Sequence, residues 1–246
     1  MAWIRAYDVT GNSTYLDTAR SIFNDLITGN DASCGGVWWS KDKDYIASIS
    51  NELFLSVAAS LANRASYDGT DYATSAKNEA DWIINKSGLI NSNNTIVDGI
   101  DISTCKPTGT VFTYNQGVIL GGLTELYKLT GSSAYIDTAN SIAHGALDHL
   151  TDSNGILTEP GYPGPPDNTG AQFKGVFARN LAVLQAASPH SEYMTFLQKN
   201  ADSIWQSDRQ GDGQIGPDWQ GPYFDASMAS QSSALDCLIA AAAVSS

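Results

Sequence analysis

Along this chain, apolar positions recur with a helical period in two alternating styles. In one, Tyr15, Leu16, Ala19, Ile22, Phe23, Leu26 and Ile27 follow the three-and-four spacing of a helix with one buried face. In the other, the stretches 51–64, 111–130, 175–187 and 227–244 are apolar almost all round, which predicts helices enclosed on every side. The one-sided style returns at Tyr72, Tyr135 and Tyr193, about sixty residues apart. TGNSTYLDTARSI, from Thr10, matches TGSSAYIDTANSI, from Thr130, at most positions. Such a repeat predicts stacked hairpins, each an enclosed inner helix, a short turn and a one-sided outer helix. Ser13 or Thr14 is expected to cap the first outer helix. No stretch alternates with the period of a strand. The fold class predicted is all-α, a toroid or an open solenoid of helix hairpins, with 1–246 as one domain.

The connections differ in length by direction. Turns from inner to outer helix are short, at 10–12, 65–69, 130–132 and 188–190. The returns are long, about 28–44, 87–109, 150–170 and 207–225. Long loops in a compact domain usually carry function, and all four fall at the end where the inner helices begin. They hold Cys34-Gly35-Gly36-Val37-Trp38-Trp39, Asp98-Gly99-Ile100-Asp101, Glu159-Pro160-Gly161-Tyr162 and Pro217-Asp218-Trp219-Gln220. Aromatic faces suit the C–H surface of a sugar ring, and carboxylates and amides suit its hydroxyls, so this rim is a candidate carbohydrate cleft. The competing reading makes the tryptophans lids of the core and Asp98 and Asp101 caps within their loop.

Composition narrows the choice of partner. Thirteen basic against 26 acidic residues leave a formal charge of −13, which repels nucleic-acid phosphates and anionic membrane surfaces. There is neither an apolar run of membrane-spanning length nor a signal-peptide layout at Met1-Ala2-Trp3-Ile4-Arg5. Cys34, Cys105 and Cys237 lack the spacing of a zinc motif, and His144, His149 and His190 fall on outer helices or short turns, so no metal and no cofactor is expected. Sequons at Asn12, Asn85 and Asn93, an acidic surface and few lysines lean towards a secreted glycoprotein. In such a chain Cys34 and Cys105 are the pair expected to form a disulfide, with Cys237 buried and free.

Five ordered motifs, CGGVWW at 34–39, ISNELF at 49–54, TYNQGVILGGL at 113–123, FKGVFARNLA at 173–182 and SQSSALD at 230–236, resemble glycoside hydrolase family 76 over essentially the whole chain. The resemblance implies an (α/α)6 barrel, here incomplete, and a retaining endo-1,6-α-mannosidase acting on α-mannan or another mannose-containing glycan at the cell wall. Its catalysts would be two adjacent aspartates, one the nucleophile and one the acid/base. The chain contains no Asp-Asp dipeptide. Because the family's pair precedes a Trp-rich run like Ala2-Trp3-Ile4-Arg5-Ala6-Tyr7-Asp8, it is expected just ahead of Met1, in a member lacking its N-terminal helices. The resemblance also implies substrate contacts at Trp38, Asn51, Asp98, Tyr114, Asn115, Gln116, Glu159, Phe173, Lys174 and Arg179. Asn51 and Gln116 serve equally well as caps or bridges between helices, whereas Lys174 and Arg179 are hard to bury without partners. Where the family has Tyr-Lys-Asn, this chain has Tyr45-Ile46-Ala47, so a polar contact there is expected to be lost or relocated. Two alternatives to a hydrolase stand beside this reading: a non-catalytic mannan-binding scaffold and a cell-wall transglycosylase.

Overall fold

The computed structural model describes residues 1–245. Among them nine α-helices alternate as the hydrophobic pattern predicts: α1 (Ala2–Thr10), α2 (Ser13–Leu26), α3 (Ser48–Arg64), α4 (Tyr72–Asp81), α5 (Thr113–Thr130), α6 (Ser133–His149), α7 (Phe173–Ala187), α8 (Ser191–Ser207) and α9 (Met228–Val244). α3 buries residues all round, including Asn51, Glu52, Phe54, Leu55, Ala58 and Leu61. α2 buries only Leu16, Ala19 and Phe23. The cap of α2 differs from expectation: Asn12, not Ser13 or Thr14, accepts the Thr14 N–H at 3.0 Å. Asn12 holds extended backbone while Ser13 is already helical, so only Asn12 can turn its side chain onto the exposed amides.

The chain forms two compact units. The first comprises 1–91, 97–109 and 122–138, the second 92–96, 110–121 and 139–246. In the first, Phe23 packs against Phe54 and Tyr72, with ring centroids 5.0 and 5.3 Å apart. Arg64 ties α3 to both Asp8, at 2.6 Å, and Glu125, at 2.7 Å. Contrary to the absence of strands read from the sequence, this unit holds a small antiparallel sheet in the order β1 (Ile46–Ala47), β2 (Gly99–Asp101) and β3 (Lys106–Thr108). Strands of two and three residues are too short to leave a periodic signature. Cys34 and Cys105 are joined by a disulfide, and Cys237 is free and buried.

In the second unit, Gly117 and Gly175 let helices touch through their backbones. A Cβ on Gly117 would stand 2.6 Å from the Cα of Phe177, and one on Gly175 would stand 2.6 Å from the Cα of Ser233. The core gathers Leu120, Phe177, Leu181, Ile204 and Trp219, all fully buried. Among the described residues no helix is long and apolar enough to cross a membrane.

One device recurs in both units. A polar side chain on a helix clamps the main chain of an apolar loop residue: Asn51 accepts from the Val37 N–H at 2.6 Å and donates to its carbonyl at 3.2 Å. Gln116 does the same to Ile96, at 2.7 and 2.9 Å. Asn200 accepts from Leu157 at 2.8 Å, and Gln231 from Ile215 at 3.0 Å. These bonds satisfy loop amides that burial would otherwise leave unpaired, and so fix the long loops on the helix ends.

Candidate functional site

The second unit carries the denser chemistry. The first turns of α5 and α7 bring together Phe112, Tyr114 and Phe173, with centroid separations of 5.8 Å for Phe112–Tyr114 and 4.3 Å for Tyr114–Phe173. Phe112, Tyr114 and Phe173 are half-buried, so the cluster keeps ring surface open to solvent. Gly161, in the loop after α6, lies against Thr110 and Phe112 and seats that loop beside the aromatic cluster.

The same loop supplies Glu159, which is buried and accepts from the Thr113 N–H at 3.0 Å and from the Thr113 hydroxyl. Burial raises its carboxyl to about 7, against the opposing pull of the Thr113 bonds and the charge of Lys174. Lys174, at 1% exposure, donates to the Pro217 carbonyl at 3.0 Å and lies 5.0 Å from the centre of the Trp219 ring. Burial depresses its ammonium to about 8, while Asp218, Glu159 and Asp208 act to keep the proton on. Asp208 is itself pushed up to about 7 by burial. Glu159, Tyr162, Lys174, Asp218 and Gln220 line one pocket of about 280 Å³. Glu159, titrating near neutrality, and the Lys174 ammonium give that pocket groups able both to donate to and to accept from hydroxyls.

The first unit has a second polar cluster at the start of α3. The Tyr45 hydroxyl donates to Asp98 at 2.8 Å, and burial with this bond raises the phenol's pKa. Glu52, 1% exposed, is driven well above the usual carboxyl range by burial and then by the charge of Asp98. Ile46 and Ala47 are both buried in β1, paired with Ile100 and Gly99.

Of the ten residues proposed from the sequence, Tyr114, Phe173, Glu159 and Lys174 converge in the second unit, and Asp98 sits in the Tyr45 cluster. Asn51 and Gln116 are fully buried with their amides committed to Val37 and Ile96, the bridging role set beside substrate contact in the sequence. Asn115 is enclosed at 0% exposure with neither amide atom bonded to the protein. Arg179 is exposed and pairs with Asp236 of α9 at 2.7 Å, outside the pocket lining. The Trp38 indole donates to Asp31 at 2.9 Å, beside the exposed Trp39 in a separate groove against the end of α2. Sequence reasoning passed over Thr113, Tyr45, Glu52 and Asp208. Glu52 lay inside the quoted ISNELF motif, and a charged residue near the start of an all-round apolar helix is the signal that marks it.

Helix hairpins joined by alternating short and long connections define an all-α protein. A protein from Listeria innocua has a similar solved structure (TM-score 0.83, 27% identity, covering 98% of this chain and 69% of that one). An inactive variant of the alpha-1,6-mannanase GH76A of Salegentibacter sp. HEL1_6, in which two neighbouring aspartates are replaced by asparagine, was solved with alpha-1,6-mannotriose. It is also similar (TM-score 0.86, 23% identity, covering 99% of this chain and 73% of that one). These family structures are (α/α)6 barrels. The model of glycosyl hydrolase family 76 matches residues 1–246, and the chain belongs to that family. Mannan endo-1,6-alpha-mannosidase DCW1 of Saccharomyces cerevisiae is 30% identical over 247 residues, 92% of this chain and 53% of that protein. DCW1 of Candida glabrata is 29% identical, with 92% and 54% covered. The chain thus spans about half the length of the curated relatives it matches.

Proposed function

We propose that this chain is the glycan-holding part of a secreted, cell-wall α-1,6-mannan-acting glycoside hydrolase, and that mannose units lie over Tyr114 and Phe173 with their hydroxyls directed to Glu159, Lys174 and Asp218. The observation that carries the reading is the open aromatic cluster next to a pocket lined by the buried, near-neutral Glu159 and the buried Lys174, in a chain of family 76. Ring faces supply contact area, and the polar pocket supplies orientation. Asp98 and its Tyr45 partner offer a further polar contact, and Trp38 a further aromatic one.

Hydrolysis with retention needs a nucleophile and an acid/base carboxyl about 5 Å apart. The 246 residues contain no Asp-Asp pair, so in this reading they bind and position sugar without breaking the bond. Titration calorimetry with α-1,6-mannotriose, alongside a reducing-end assay on α-1,6-mannan, tests both parts. Binding between about 1 μM and 1 mM, weakened at least about tenfold by Tyr114→Ala, and no sustained release of reducing ends are the expected results. Absence of binding would remove the glycan-holding role. Steady hydrolysis would remove the division between binding and bond cleavage.

A further inference from the structure

Two of the chain's three histidines, His144 on α6 and His190 at the start of α8, face the same carboxylate, and we propose that His144, His190 and Glu192 form a binding site for a divalent transition metal of the zinc type. His144 Nε2 lies 3.2 Å from Glu192 Oε1, and His190 Nδ1 lies 3.8 Å from the same oxygen. All three candidate ligand atoms fall within 4.8 Å of one another. A tetrahedral zinc with bonds of about 2.1 Å has ligand–ligand edges of about 3.4 Å, between the two observed distances. The imidazole planes stand at 89°, so the rings approach the shared point from different directions.

The groups behind the ligands fit the same purpose. Ser188 Oγ lies 3.4 Å from His190 Nε2 and accepts from Asn140 at 3.0 Å; Asn140 in turn accepts from the Tyr193 hydroxyl at 3.0 Å. Ser188 Oγ can accept the Nε2–H of His190, and in that tautomer the Nδ1 lone pair is directed to the shared point. Bonds to the remote imidazole nitrogen that fix tautomer and ring orientation are usual around metal-binding histidines. The main chain of His190 is also held, its N–H donating to Gln185 at 2.8 Å. The three side chains are between 36% and 49% exposed, which leaves the point reachable from solvent and a fourth position for water. With the histidines 46 positions apart, the ligands form no motif in the sequence.

Calorimetric titration of ZnCl2 into the full chain near neutral pH is the test. One zinc ion per chain with a dissociation constant near about 1 μM is expected. His144→Ala, His190→Ala and Glu192→Gln should each weaken binding at least about tenfold, Ser188→Ala by about tenfold, and His149→Ala not at all. Circular dichroism of each metal-free variant reports folding. Should a histidine variant fail to fold, Glu192→Gln, which keeps the side-chain shape, decides alone. Failure of wild-type chain to bind zinc at about 1 mM, or unchanged affinity in Glu192→Gln, would overturn the assignment.

Discussion

Replacing Glu159 by glutamine keeps the side chain's shape and its acceptor for the Thr113 N–H but removes its titration. Glu159 is 6% exposed, and its carboxyl is raised from the ordinary 4.5 to about 7, by burial first, with Thr113 and Lys174 resisting. Between those two values the folded chain holds a proton that the unfolded chain has released. Stability contributed at this position therefore falls as pH rises from about 4.5 to about 7 and is level above that. At about 1.4 kcal/mol per pH unit, the fall amounts to about 3 kcal/mol. Asp208, Glu79 and Glu52 are also raised by burial and slope in the same direction, but in both proteins, so the difference between wild type and Glu159→Gln isolates Glu159. Urea unfolding of the pair at intervals from pH 4 to 7 should show the variant gaining about 3 kcal/mol relative to wild type across the range. Parallel curves would mean that Glu159 is not the desolvated carboxyl described, and the argument for a near-neutral acid in the pocket would fail.

Breaking the Cys34–Cys105 disulfide by a double serine variant frees a loop with a sequence separation of 71 residues. Chain entropy then predicts a loss of about 4 kcal/mol in urea unfolding. Arg64→Met strands Glu125, whose carboxyl burial would raise but which Arg64 and Lys128 bring down to about 2. A loss of about 3 kcal/mol is expected near neutral pH, fading as pH falls below 4.5 towards 2, where the wild-type pair itself is lost. Gly117→Ala separates two effects by sign: helix propensity alone favours alanine by about 1 kcal/mol, whereas a Cβ 2.6 Å from the Phe177 Cα costs about 1–3 kcal/mol. A lowered thermal midpoint is expected, and a raised one would show that α5 and α7 do not meet through backbone.

The helix hairpins were legible because their cause is local. The Tyr15, Tyr72, Tyr135 and Tyr193 copies each need one apolar face, and periodicity records that need directly. Ends were less legible: α3 begins at Ser48 rather than Asn51 because Ser48 bonds the Val97 carbonyl at 2.5 Å, a contact 49 residues distant. The site divided along the same line. Tyr114, Phe173 and Lys174 stand at helix starts, where position along the helix indicates which end they serve. Asn51 and Gln116 stand at equivalent places, yet their amides are taken by Val37 and Ile96, and only the folded loops reveal that. Asp208 and Glu52 acquire their character from burial, which no motif encodes. His144 and His190 meet across two helices for the same reason.

The crystal structure of the 246-residue chain grown with α-1,6-mannotriose bears on the central claim most directly. The account predicts a mannose ring packed on Tyr114 and Phe173, with at least one hydroxyl within about 3.2 Å of Glu159, Lys174 or Asp218. Sugar bound elsewhere on the chain, with that pocket filled only by water, would contradict it.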